Sequence, residues 1–132
     1  MSEQNVEVVR RVVEAAGDLD KLTGLLHQDW EHRPAIAGTS TGAVYRGFPD
    51  GVRQYRADLA DAWKRHDVLP QQFVDLDDDG VLVIFRLEAR GRKSGVELSR
   101  EAAVHCRFKN GQLWRSVGYN DVDEARRAVG LA

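Results

Sequence analysis

The sequence predicts an α+β fold, on three observations. Apolar residues in the first half recur at helical spacing, and from Gln72 onward the period falls towards two. Asp77-Asp78-Asp79-Gly80 and Lys109-Asn110-Gly111 then divide the second half as turns. Helices followed by a run of strands argue for helices gathered on one face of a curved antiparallel sheet. That arrangement leaves a cavity between the two layers.

Each element has its own signal. Val6, Val9, Val12 and Val13 share a helical stripe that stops at Gly17. Asp18 is placed to cap a second helix from Leu19 to His27, with Leu19, Leu22, Leu25 and Leu26 as its apolar side. Asp29 to Arg33 reads as a strand, with Trp30 and His32 on one face and Glu31 and Arg33 on the other. A Gly/Ser/Thr-rich loop, Ala37 to Gly42, leads to a short extended piece, Ala43 to Gly47. Asp50-Gly51 opens a third helix whose stripe is Val52, Tyr55, Leu59, Ala62 and Trp63, and which ends before Pro70. Strands are expected over Gln72 to Leu76, Val81 to Arg90, Val96 to Phe108 and Gln112 to Tyr119, the last two joined by a tight Asn-Gly turn. Asp121 begins a final helix, Val122 to Val129.

Composition narrows the function classes. The 132 residues are 42% hydrophobic and 30% charged, the balance of one globular domain over residues 1–132 with room for its own core. The longest apolar run, Val81 to Phe85, is of strand length and far short of the roughly 18 residues of a membrane helix. The N-terminus MSEQNVEVVRR lacks a signal-peptide apolar core, so a cytoplasmic protein is expected. A net charge of −2 with scattered basic residues provides no footprint for nucleic acid, and Arg90-Gly91-Arg92-Lys93 reads as a solvated turn. The single cysteine, Cys106, cannot form an intrachain disulfide and reads as a small buried hydrophobe; no Cys/His cluster has zinc spacing. P-loop, GxGxxG, GxSxG and HExxH patterns are absent, and no metal or cofactor is expected.

Three stretches, GDLDKLTGLLHQDWEHRP, VYRGFPDGVRQY and CRFKNGQLWR, occur in an order and spacing that resemble the NTF2-like superfamily, and within it the SnoaL-like family (polyketide cyclase and ketosteroid isomerase-like proteins). The resemblance covers nearly the whole chain. It implies a cone: a strongly bent antiparallel sheet around three helices of the N-terminal half, with a short C-terminal helix, usually as a homodimer packed through the outer sheet face. The superfamily includes isomerases, cyclases, epoxide hydrolases, dehydratases and members that only bind ligands or partners, so the fold does not decide the function.

The catalytic sets that the resemblance implies are incomplete. Ketosteroid isomerases use a carboxylate base with an oxyanion hole of Tyr and protonated Asp. The corresponding positions are Pro34, Arg10 and about Val104. The acid that follows Trp-Arg in limonene-type epoxide hydrolases is Ser116 here, and Arg86 and Glu88 belong to the outer face. SnoaL-type cyclases use a His and an Asp, but Asp121 reads first as a helix cap.

Alternation assigns the inner face. Along the long strand, Val96, Leu98, Arg100, Ala102, Val104, Cys106 and Phe108 face the helices, with Arg100 near the rim, while Glu97, Ser99, Glu101, His105 and Arg107 face out. Glu101 and His105 then suit an interface better than an acid–base dyad. Trp114, Ser116 and Gly118 face in on the last strand, where the two small residues favour a hollow. Trp30, Tyr55, Trp63, Phe85 and Trp114 form apolar walls; His32, Arg100 and Tyr45 or Tyr119 supply orienting polar contacts. A lone inward His next to aromatics reads first as a core histidine satisfied by one hydrogen bond. His32 is still the candidate base if proton-transfer chemistry occurs, since an imidazole titrates near neutrality, and Arg100 would either contact an anion or enolate or snorkel to the rim.

Two functions follow. One is a SnoaL-like protein that binds a small, largely apolar molecule in its cone, with isomerase, cyclase or dehydratase chemistry as its catalytic form. The other is a non-catalytic dimerisation or partner-binding module with a filled cone. A cavity of roughly 300 Å³ or more around His32 marks the first. A cone plugged by Trp30, Trp63 and Trp114 marks the second.

Overall fold

The computed structural model describes residues 2–35 and 44–131. The predicted loop Ala37 to Gly42 and the start of the extended piece at Ala43 lie outside the described residues. Helix α1 (Ser2–Ala15) buries Val9 and packs Val6, Val12 and Val13 against the core. It ends where Ala16 and Gly17 take positive φ, as left-handed C-caps do. Asp18 caps α2 by accepting from the Asp20 and Lys21 amides.

Helix α2 is a single turn, Leu19–Leu22, and does not reach His27. Gly24 at φ +87 turns the chain, and the Leu25 carbonyl accepts from Leu113. Strand β1 therefore starts at Leu26 and runs to Arg33. After β2 (Tyr45–Arg46), helix α3 (Asp50–Ala62) begins with Gly51 so close to β2 that a Cβ would stand 2.5 Å from the Arg46 carbonyl oxygen.

The second difference from the sequence expectation is larger. Helix α3 stops at Ala62, and β3 (Trp63–Asp75) follows without a loop. Trp63 thus opens a strand; it is not the last residue of a helical stripe. The sheet order β2-β1-β6-β5-β4-β3 puts β3 at an edge, where a proline removes no essential ladder bond. Pro70 sits within β3, and the register shifts between Pro70 and Gln72.

A 3-10 turn, Asp77–Asp79, joins β3 to β4 (Val81–Gly91). Strands β5 (Glu97–Lys109) and β6 (Gln112–Tyr119) form the expected hairpin, with Asn110 and Gly111 both at positive φ. The run β3-β4-β5-β6 is antiparallel, and β1 joins β6 in parallel. The result is a six-stranded, curved, unclosed sheet with helices packed inside it.

Two apolar clusters sit on opposite faces of this sheet. Val81, Val83, Cys106 and Leu113 meet α1, β1 and α3 within the cone. On the outer face Leu82, Ile84 and Ala103 are covered by α4 (Val122–Ala128), through Ala125 and Val122. The continuous run Val81 to Phe85 has no polar alternation because this stretch of β4 is buried on both sides. Asp121 caps α4 by accepting from the Asp123 and Glu124 amides, which is its expected structural role. Among the described residues no helix is long and apolar enough to cross a membrane.

Candidate functional site

Inside the cone lies a cavity of about 130 Å³, bounded by residues from β1, α3 and β3 to β6. Phe85, Leu87, Ala102 and Val104 form its sheet wall, and Val68 joins them from the edge strand. The polar groups that reach it are His32, Tyr55 and His66.

Pairing with β6 positions His32, since His32 stands opposite Ser116. Its Nδ1 lies 2.7 Å from Ser116 Oγ, and the small serine leaves room for the ring. Trp30 stacks on one side with centroids 5.9 Å apart, and Tyr55 meets the ring edge-on at 4.9 Å. Among the described residues Nε2 has no hydrogen-bond partner. Burial lowers the imidazole pKa to about 4, and the hydrogen bond to Ser116 only partly opposes this. His32 is therefore neutral at pH 7, and its free proton affinity is weak.

The other polar groups are neutral as well. Burial, aided by Tyr45, raises the Tyr55 hydroxyl to about 12 and keeps it a hydrogen-bond donor. His66 is also shifted down, chiefly by burial. An apolar cavity with neutral hydrogen-bonding groups favours an uncharged ligand body oriented by a few contacts.

Of the residues predicted for this site, His32, Tyr55 and Phe85 line the cavity. Trp30 and Tyr45 are buried in the core behind them; the Tyr45 hydroxyl donates to Asp58 at 2.6 Å, and its ring lies 4.9 Å from that of Tyr55. Arg100 faces inward opposite Leu87, one inward position beyond Ala102, and Nη2 donates to Asn120 Oδ1.

Three expected wall or contact residues stand elsewhere. Trp63, at the start of β3, lies 6.2 Å from the His66 ring and outside the cavity lining. Trp114 leaves the inner face because β6 carries an extra residue: Arg107 pairs with Arg115 and Phe108 with Leu113, so Leu113 takes the inward place. The Trp114 ring is flanked by Arg115 and Lys109 instead, with centroid distances of 4.2 and 5.2 Å. Tyr119 packs in the outer cluster with α4. Gly118 does face the cavity, but the chain fills the space beside it: a Cβ there would stand 2.6 Å from the Ala35 amide nitrogen.

His66 and Val68 were hidden by the expected continuation of the helix to Pro70. A signal was present, because no apolar residue continues the helical stripe after Trp63, and His66 and Val68 then alternate in strand fashion. Outside the cavity the sequence assignments fare better. Cys106 is buried, its thiol pushed up to about 12, as suits a core residue. Arg86 and Glu88 pair on the outer face at 3.0 Å. Arg92 does more than solvate its turn, donating to the Ala60 and Trp63 carbonyls at the end of α3.

Residues 8–116 match the SnoaL-like domain family. The chain belongs to that family. Among solved structures of this SnoaL-like architecture, an NTF2-like protein of unknown function from Burkholderia pseudomallei is 19% identical, with a TM-score of 0.75 over 96% of this chain and 98% of its own. TerC, co-crystallised with polyporic acid, is 15% identical, with a TM-score of 0.75 over 96% of this chain and 98% of its own. A hypothetical protein from Catenulispora acidiphila with a ketosteroid isomerase-like fold, in complex with trimethylamine, is 16% identical, with a TM-score of 0.70 over 96% and 94%. At such identities these similarities concern the fold. No curated protein matches the sequence at a significant level.

Proposed function

We propose that this SnoaL-like chain, acting as one cytoplasmic domain over residues 1–132, binds a small and largely apolar molecule in the cavity beside His32. The observation that carries the reading is the cavity itself: about 130 Å³, with apolar walls and a few neutral polar groups. It does not reach the roughly 300 Å³ expected from the sequence for this reading, which is the size of drug-sized sites. It approaches the roughly 150 Å³ apolar cavities that accept benzene, so the ligand body is about one ring in size. Polyporic acid with TerC and trimethylamine with the Catenulispora protein are small-molecule complexes of similar folds, which supports the reading.

The filled-module alternative needs three tryptophans in the cone, and Trp63 and Trp114 are outside the cavity lining. A homodimer remains part of the proposal, through the stretch of the outer sheet face that includes Glu97, Ser99 and Glu101. In the catalytic form His32 would exchange a proton through Nε2. Its pKa of about 4 makes it a poor base at pH 7, so orienting a ligand carbonyl or hydroxyl is its first role.

Titration with benzaldehyde, followed by tryptophan fluorescence, tests the proposal because Trp30 stacks on His32. The expected result is saturable quenching in the wild type, weakened in His32→Ala and abolished in Val104→Phe, which fills the cavity. A wild-type signal that does not saturate, or one that persists in Val104→Phe, contradicts it.

A further inference from the structure

Resting on that reading, we infer that the ligand carries an anionic oxygen, and that Arg100 and Asn120 hold it while the apolar body occupies the cavity.

The starting point is a buried polar atom without a partner. Arg100 Nε is buried and makes no hydrogen bond among the described residues. Buried donors are nearly always satisfied, and one left open is costly. No carboxylate forms an ion pair with Arg100 among the described residues, whereas Arg11, Arg33, Arg46, Arg53, Arg65 and Arg86 each have one. What sets Arg100 apart is that its unpartnered Nε is buried and that its register turns it to the inside of the cone.

Its position relates it to the cavity. Arg100 pairs across the sheet with Leu87, and the next inward pair is Ala102 with Phe85; Leu87, Ala102 and Phe85 are all cavity walls. Asn120 follows the end of β6, two residues after the cavity-lining Gly118. Its Oδ1 accepts from Arg100 Nη2, which fixes the guanidinium and leaves the Asn120 amide nitrogen with no partner among the described residues. The guanidinium supplies a buried N–H without a protein partner, and the exposed Asn120 that anchors it has a second donor to offer a carboxylate; charge-assisted bonds of this kind are the strong ones. Among the described residues no Lys or Arg lines the cavity, and Arg100 stands one inward pair beyond its Ala102–Phe85 wall. The chemistry points to a small monocyclic or branched carboxylic acid.

The test compares benzoate, benzamide and toluene by calorimetry at pH 7 on wild type, Arg100→Gln and Arg100→Lys, with circular dichroism confirming that each variant is folded. Wild type is expected to bind benzoate at least about tenfold more tightly than benzamide, the range that a hydrogen bond to a charged group provides. Arg100→Gln is expected to erase that preference while leaving benzamide and toluene within about twofold of wild type, because neither ligand carries the charge that Arg100 would meet. Arg100→Lys should retain part of it, since lysine keeps the charge without the planar fork. Equal binding of benzoate and benzamide to wild type, or an unchanged preference in Arg100→Gln, overturns the assignment while leaving the cavity reading intact. Failure of all three compounds to bind overturns both.

Discussion

At the scale of single residues, the site is a conflict between burial and charge at His32. A buried imidazole resists protonation, so its pKa in the folded protein, about 4, lies well below the ordinary 6.5. The unfolded chain then takes up this proton first as pH falls. The stability that depends on neutral His32 is fully present above pH 6.5 and is lost on the way down to pH 4. His66, shifted in the same direction, adds to the loss. Urea unfolding at pH 7 and pH 4.5 reads this directly. His32→Gln does not titrate and keeps a polar partner for Ser116, so it is expected to lose about 2–3 kcal/mol less than wild type between those two pH values. Equal losses would mean that His32 is not held neutral by burial. The same residue scale explains why Ser116 and Gly118 are small: one makes room for the His32 ring, the other for the Ala35 backbone.

At the scale of elements, Asp121 and α4 form a unit. Asp121 caps a short helix whose Ala125 seals Leu82, Ile84 and Ala103 on the outer sheet face. Asp121→Ala is expected to cost about 1 kcal/mol in denaturant unfolding, the usual value of an N-cap, and to leave ligand titrations at the cavity unchanged. A loss of binding without a loss of stability would instead give Asp121 a role in the site. Elements with local signals could be read from the sequence: the Asp18 and Asp121 caps, the Asn110-Gly111 turn, and the alternation of β4 and β5 that turns Phe85, Ala102 and Val104 inward. Those shaped by tertiary pairing could not. Leu25 and Leu26 fit a helical stripe as well as a strand, and the β6 partner decides between them. Pro70 suggests a helix stop until β3 is known to be an edge strand. The bulge that expels Trp114 depends on how two strands register, which no local pattern in β6 reveals. His66 was missed, and Trp114 misplaced, for these reasons.

At the scale of the whole molecule, both sheet faces are used differently. The inner face holds the core and the cavity, while α4 covers part of the outer face at the β4–β5 end. The curved sheet wraps around the helices, and what remains open between them is about 130 Å³. This space is proposed to receive the ligand. The most direct measurement is a map of backbone amide NMR shifts during a toluene titration. Saturable shifts are expected, confined to Ala102, Ala103, Val104, Gly118 and their neighbours in β1 and β3, with none at Trp114 or Lys109 on the outer face. Shifts absent from the cavity residues, or centred on the outer face, would contradict the proposal.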